Sequence, residues 1–115
     1  MTFYCFLVST TDATVALAER VAGTEEAFVS LMNEKVRELG LKNTSFKNST
    51  GLDIANHYSS AYDMAMLAKE LVKHEKILEF TGTYEDYLRK GTDKSFWLVN
   101  TNKVVYKNYY SIKLL

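Results

Sequence analysis

A mainly α fold of the α+β kind, with one or two short strands towards the C-terminal end, is what this sequence predicts, and three observations predict it. The 115 residues contain no proline, where roughly five per cent is usual, so long helices can run without interruption. Three segments carry apolar residues at helical spacing between residues that start and stop helices. One aromatic and β-branched run, Phe96-Trp97-Leu98-Val99, follows a polar turn and reads as a strand.

The elements follow in order. Phe3-Tyr4-Cys5-Phe6-Leu7-Val8 is an apolar run with no lysine or arginine before it. It is too short to span a membrane and wrongly flanked for a signal peptide, so the chain is expected to carry no export signal of its own. Thr11 or Asp12 then caps a helix whose apolar residues Val15, Leu17, Ala18, Val21 and Ala22 lead to Gly23, a natural C-terminal stop. Thr24 opens a second helix, with Glu25 and Glu26 in its positively polarised first turn, Phe28, Leu31, Met32, Val36 and Leu39 on one face, and Gly40 at its end. From Leu41 to Tyr58 the periodicity disappears and Asn, Ser, Thr and Gly dominate, which reads as a long irregular loop. Ser60 and Asp63 form a Ser-x-x-Asp capping pattern before the stripe Met64, Leu67, Ala68, Leu71 and Val72 of a third helix that ends near His74. Ile77, Leu78 and Phe80 predict a short helical piece stopping before Thr81-Gly82-Thr83, and Tyr84 to Leu88 are expected to add one more helical turn. Lys90-Gly91-Thr92-Asp93-Lys94 is a turn, Phe96 to Val99 a strand, and Val104-Val105-Tyr106 the second candidate strand. No repeat, heptad series or linker interrupts the chain, so residues 1–115 are expected to form a single partial domain.

Composition removes several functions. Fourteen basic residues balance fourteen acidic ones and alternate with them, leaving no electrostatic footprint for nucleic acid. Cys5 is the only cysteine; with no partner for a disulfide and no histidine or cation nearby to activate it, it reads as a packed, inert thiol. His57 and His74 lack metal-ligand spacing, and the glycines lack a phosphate-loop pattern, so neither a metal nor a cofactor is expected. Tyr84, Tyr87, Tyr106, Tyr109 and Tyr110 could make a sticky surface, although half-buried packing is the plainer reading.

A further pattern runs through the chain in order. It begins with Ser9-Thr10-Thr11-Asp12-Ala13 and Val15-Ala16-Leu17-Ala18-Glu19, and continues through Phe28-Val29 and Met32-Asn33-Glu34-Lys35. Leu39 to Phe46, Asn48, Gly51-Leu52 and His57 to Ala65 follow, then Thr81-Gly82-Thr83-Tyr84 and Trp97 to Asn102. Each piece alone is weak, but their order and spacing resemble the S11 peptidases, the serine-type D-alanyl-D-alanine carboxypeptidases of bacterial cell-wall maturation. The resemblance implies the helical lobe of the serine β-lactamase/DD-peptidase fold, truncated at both ends.

The resemblance also implies a chemistry. Family members acylate a serine in Ser-x-x-Lys, whose lysine takes the proton, and complete the pocket with a Ser-x-Asn motif and a Lys-Thr-Gly strand. A serine hydroxyl is a poor nucleophile at neutral pH, and a base one helical turn away supplies what it lacks. In this sequence no lysine has a serine three residues before it, and none is followed by Thr-Gly or Ser-Gly; Lys113 in Ile112-Lys113-Leu114-Leu115 is the nearest candidate. The chain therefore offers no acylating serine. Ser9 matches the serine of the second motif, but Thr11 stands where the family has asparagine, and a hydroxyl cannot present an acceptor and a donor on separate atoms. Local helix capping is the plainer role for Ser9 and Thr11.

The expected function is thus that of the D-Ala-D-Ala carboxypeptidase family, with this chain alone inactive. A non-catalytic peptidoglycan- or partner-binding module and a truncated product without activity are the alternatives. The resemblance implies peptidoglycan stem peptide and β-lactams as partners of the intact protein, and the cell envelope as its location. Without the neighbouring elements of the family fold, Val15 to Ala22 and Met64 to Val72 would expose apolar surface and promote self-association.

Overall fold

The computed structural model describes residues 11–83 and 85–101. It divides into two compact units, one of Thr11–Lys69 and one whose described part is residues 70–83 and 85–101. Four helices and a two-stranded sheet are present among the described residues, the mainly α outcome that the helical periodicities predict.

The first unit opens with α1 (Thr11–Ala22), which Gly23 ends at φ +90 while its N–H returns to Glu19 O at 2.7 Å. Only glycine takes that backbone conformation without a steric cost. Thr24 then caps α2 (Glu25–Glu38), its hydroxyl accepting from Ala27 N–H at 3.1 Å. The two helices pack together, with Ala13 and Ala18 of α1 and Val36 of α2 buried. Small residues on α1 leave room for close approach, so the hydrophobic contribution here comes from a few well-covered methyl groups.

The irregular stretch after α2 is fastened at several points by side chains. Asn33 of α2 reads both polar groups of Phe46: its Nδ2 donates to the carbonyl and its Oδ1 accepts from the N–H, each at 2.9 Å. Ser45 and Tyr58 exchange backbone hydrogen bonds of 2.9 and 3.0 Å, which closes the loop on itself. Inside it, Asn48 Oδ1 accepts from Gly51 N–H and its Nδ2 donates to Leu52 O. Such pairing is what a long loop requires if its backbone is to remain ordered without a ladder.

Ser60 caps α3 (Ala61–Leu71), its hydroxyl accepting from Asp63 N–H at 3.2 Å. The capping expectation holds on this side alone. The Asp63 carboxylate turns to the loop, where Oδ2 accepts from Asn43 N–H at 2.9 Å and from the Thr44 hydroxyl at 2.7 Å. Asp63 is the buried residue of α3, while Met64 and Leu71 of the expected apolar stripe are exposed.

The second unit contains the last two residues of α3, Glu70 and Leu71, then α4 (Glu75–Thr81), ended by Gly82. The expected helical turn over Tyr84 to Leu88 does not form: Glu85–Leu88 is strand β1, antiparallel to β2 (Phe96–Val99), and Tyr84 lies outside the described residues. Five residues are too few to nucleate an isolated helix, whereas the tight turn after Leu88 delivers a partner strand. In that turn Arg89 and Gly91 adopt φ +54 and +83, and Thr92 donates its N–H and hydroxyl to Arg89 O. The candidate strand Val104 to Tyr106 lies outside the described residues.

Candidate functional site

Ser9 lies outside the described residues, and Thr11 is the exposed first residue of α1. Asp12 follows in the first turn, where a carboxylate suits the helix dipole, and Ala13 is buried, anchoring the start of the helix. Ala13 and Ala18, the third and eighth residues of α1, are its buried ones.

His57 has a packing role. Its Nδ1 accepts from Lys47 N–H at 3.0 Å, and its ring lies tilted against Phe46 with centroids 5.8 Å apart. An accepting Nδ1 places the proton of the neutral imidazole on Nε2. No group of three metal-ligating side chains exists among the described residues.

A depression of about 400 Å³ opens between α2, Phe46 and α3, lined by Phe28, Leu31, Met32, Lys35 and Leu67 as well as Phe46. Lys35 pairs with Glu38 at 3.3 Å, and the other lining side chains offer neither acid, base nor hydroxyl. This is a surface for packing rather than for bond making.

The polar residues that do converge are supports. Glu25 Oε1 accepts from Ser49 N–H at 3.1 Å and from the Ser49 hydroxyl at 2.8 Å, tying the loop to the start of α2. Those two bonds, the backbone one foremost, hold the Glu25 carboxyl below the usual glutamate range. Thr44 Oγ1 and Ser59 Oγ lie 2.8 Å apart, extending the Asp63 cluster to the loop end. In the second unit buried Asn100 donates from Nδ2 to Thr81 O at 3.1 Å and Thr83 O at 2.8 Å, closing the end of α4 against the end of β2. Asn33, Asp63 and Asn100 all fall within the sequence pattern described above, but their partners are 13 to 20 residues away, so local spacing could not disclose them.

A family model described as D-alanyl-D-alanine carboxypeptidase matches residues 1–115. The D-alanyl-D-alanine carboxypeptidase DacF of Bacillus subtilis (strain 168) is 66% identical over 99 residues, covering 86% of this chain and 25% of that protein. Penicillin-binding protein 5 from Haemophilus influenzae superposes with a TM-score of 0.79 at 35% identity, over 90% of this chain and 29% of that one. Penicillin-binding protein D2 from Listeria monocytogenes, in its ampicillin-bound form, gives 0.73 at 28% identity, over 90% and 42% respectively. The chain spans about a quarter of the length of the Bacillus relative. It has the fold of the corresponding part of the penicillin-binding proteins. With its whole length matched by the one model and its order of motifs intact, the chain belongs to the S11 peptidase family, the D-alanyl-D-alanine carboxypeptidases.

Proposed function

We propose that this chain is the helical part, with its hairpin, of a serine-type D-Ala-D-Ala carboxypeptidase domain, and that it does not hydrolyse peptide by itself. The whole protein would trim peptidoglycan stem peptides at the cell envelope through an acyl-enzyme on a serine, the nucleophile that β-lactams also acylate. The observation that carries this reading is the match of a single carboxypeptidase family model to residues 1–115, in a sequence that contains neither Ser-x-x-Lys nor Lys-Thr-Gly. Within it Ser9 and Thr11 occupy the second motif. Thr11 brings one hydroxyl where the family has an amide, so its contribution to holding a substrate is reduced to a single hydrogen-bonding atom.

Acylation needs a nucleophile and a base within hydrogen-bond reach of each other. Ser9 has no lysine three residues on, since Asp12 occupies that position. No helix among the described residues is long and apolar enough to cross a membrane.

The test is incubation of the 115-residue chain with a fluorescent penicillin, followed by denaturing electrophoresis. No covalent band is expected. A band that disappears in Ser9→Ala would overturn the inactivity of the isolated chain. Reversible binding of a D-Ala-D-Ala peptide without labelling would favour a non-catalytic binding module.

A further inference from the structure

The β1–β2 hairpin carries an exposed aromatic pair. Tyr87 and Trp97 are directly opposed across the two strands, and they remain 47% and 62% exposed. Opposed residues of an antiparallel pair share a face, with Cβ atoms about 5 Å apart, so the two rings lie on the same face of the hairpin. The opposite face is the inward one, as buried Leu98 shows.

The rim of the surface is polar and positioned. Glu85, the diagonal neighbour of Trp97 in the register, accepts from the indole N–H through Oε2 at 3.1 Å. That bond orients the indole and satisfies its only polar atom, leaving the ring face apolar. The Lys90 ammonium stands 5.8 Å from the Tyr87 ring centroid. An exposed cation–π contact is weak and a lysine is flexible, so Lys90 swings aside readily and remains available as a donor at the rim.

Size and charge select the occupant. Two rings exposed to this extent offer no more than about 300 Å², well short of the roughly 800 Å² per partner that a stable protein interface buries. A second copy or a folded partner would need far more surface than the pair provides. Residues 85–99 contain three acidic and three basic side chains, so a polyanion finds no net attraction. What fits is a small, uncharged ring with one apolar face and hydrogen-bonding groups at its edge.

We propose that Tyr87 and Trp97 form a sugar-stacking platform that takes the apolar C–H face of a pyranose ring, with the Glu85 carboxylate and the Lys90 ammonium meeting its equatorial polar groups. The choice of an N-acetylhexosamine rests on the cell-wall function proposed above; the stacking surface itself does not. In that setting the hairpin would hold the glycan to which a stem peptide is attached, a contact separate from peptide bond cleavage.

Trp97 is the only tryptophan in the chain, so its emission reports the platform without interference. Titration of the 115-residue chain with the β-1,4-linked tetramer of N-acetylglucosamine should shift Trp97 emission to the blue and saturate in the millimolar range. Tyr87→Ala should weaken this about three- to tenfold, while Tyr87→Phe, which keeps the ring, should bind within about twofold of the parent. Circular dichroism separates loss of binding from loss of fold, and the indole Nε1–H resonance of the unmutated chain gives a second reading. Absence of any saturable change in emission or in that resonance overturns the platform. Equal binding of maltotetraose overturns the N-acetylhexosamine assignment, and a blue shift that tracks protein concentration without sugar assigns the surface to a second copy instead. A failed penicillin or D-Ala-D-Ala experiment would leave these readouts unchanged, so the two proposals fail separately.

Discussion

Asp63 is 2% exposed and receives the N–H of Asn43 and the hydroxyl of Thr44 on one carboxylate oxygen. Removing that oxygen strands a backbone donor in a covered place, which costs about 1–3 kcal/mol. Asp63→Ala is therefore expected to lower stability by about 2 kcal/mol, and Asp63→Asn, which retains an acceptor, by about half as much; urea unfolding measures both. Glu25 behaves differently because its support is tied to its charge. Ser49 donates to the ionised carboxylate, and the pKa is lowered. A carboxyl whose folded pKa lies below its unfolded one stabilises the fold above the unfolded value and loses that contribution as the pH falls through the folded value. The Ser49 amide resonance should accordingly titrate below the usual glutamate range, and Glu25→Gln should abolish the transition. A Ser49 titration at the pH of an unstructured glutamate would refute the clamp.

Among the elements, α4 ends at Gly82 for a reason of space rather than of backbone angle. Gly82 has φ −82, which any residue adopts, but a Cβ built there would lie 2.9 Å from the backbone oxygen of Leu78. The Gly82 N–H also donates to that oxygen at 2.9 Å, so relief requires the end of the helix to open. Gly82→Ala is expected to destabilise the second unit by about 1–3 kcal/mol, the cost of overpacking a constrained site. Faster amide exchange through α4 and the hairpin would register it, and unchanged exchange would show that the turn gives way freely. The sequence made α1, α2 and α3 legible because each has a start residue, a stop and enough turns for a 3.6-residue period. Strand β1 was not legible: Glu85-Asp86-Tyr87-Leu88 has no strong alternation, and it becomes a strand through hydrogen bonds to Phe96–Val99.

For the whole molecule, the apolar side chains without cover decide solution behaviour. Val21, Leu31, Met64 and Leu71 are exposed, the last two on the stripe that the sequence assigned to a core. Leu31 also borders the depression formed with Phe28, Met32 and Phe46. Exposed apolar side chains of this kind favour association. Sedimentation of the 115-residue chain should therefore show mass increasing with concentration, and Leu31→Lys should reduce it. A concentration-independent monomer with a sharp, cooperative melt would count against association.

Family membership was readable from the sequence alone, because an ordered series of short motifs from Ser9 to Asn102 survives without any knowledge of contacts. So were the Thr24 cap and the Gly23 and Gly40 stops, since caps and glycine stops act within one turn; Thr11 and Asp12, expected to cap the first helix, instead lie inside it, and Thr81 belongs to α4. The candidate site was legible only as positions: Ser9 and Thr11 could be matched to a motif, but matching says nothing of what lies opposite them. Tertiary structure alone decided that the Asp63 carboxylate anchors the loop instead of completing a capping box, that Asn33 and Asn100 clamp distant backbone, and that Tyr87 and Trp97 face outward together. Those outcomes depend on groups brought close from more than a dozen residues away or on a strand pairing, and hydrogen bonds of that range leave no period in the chain.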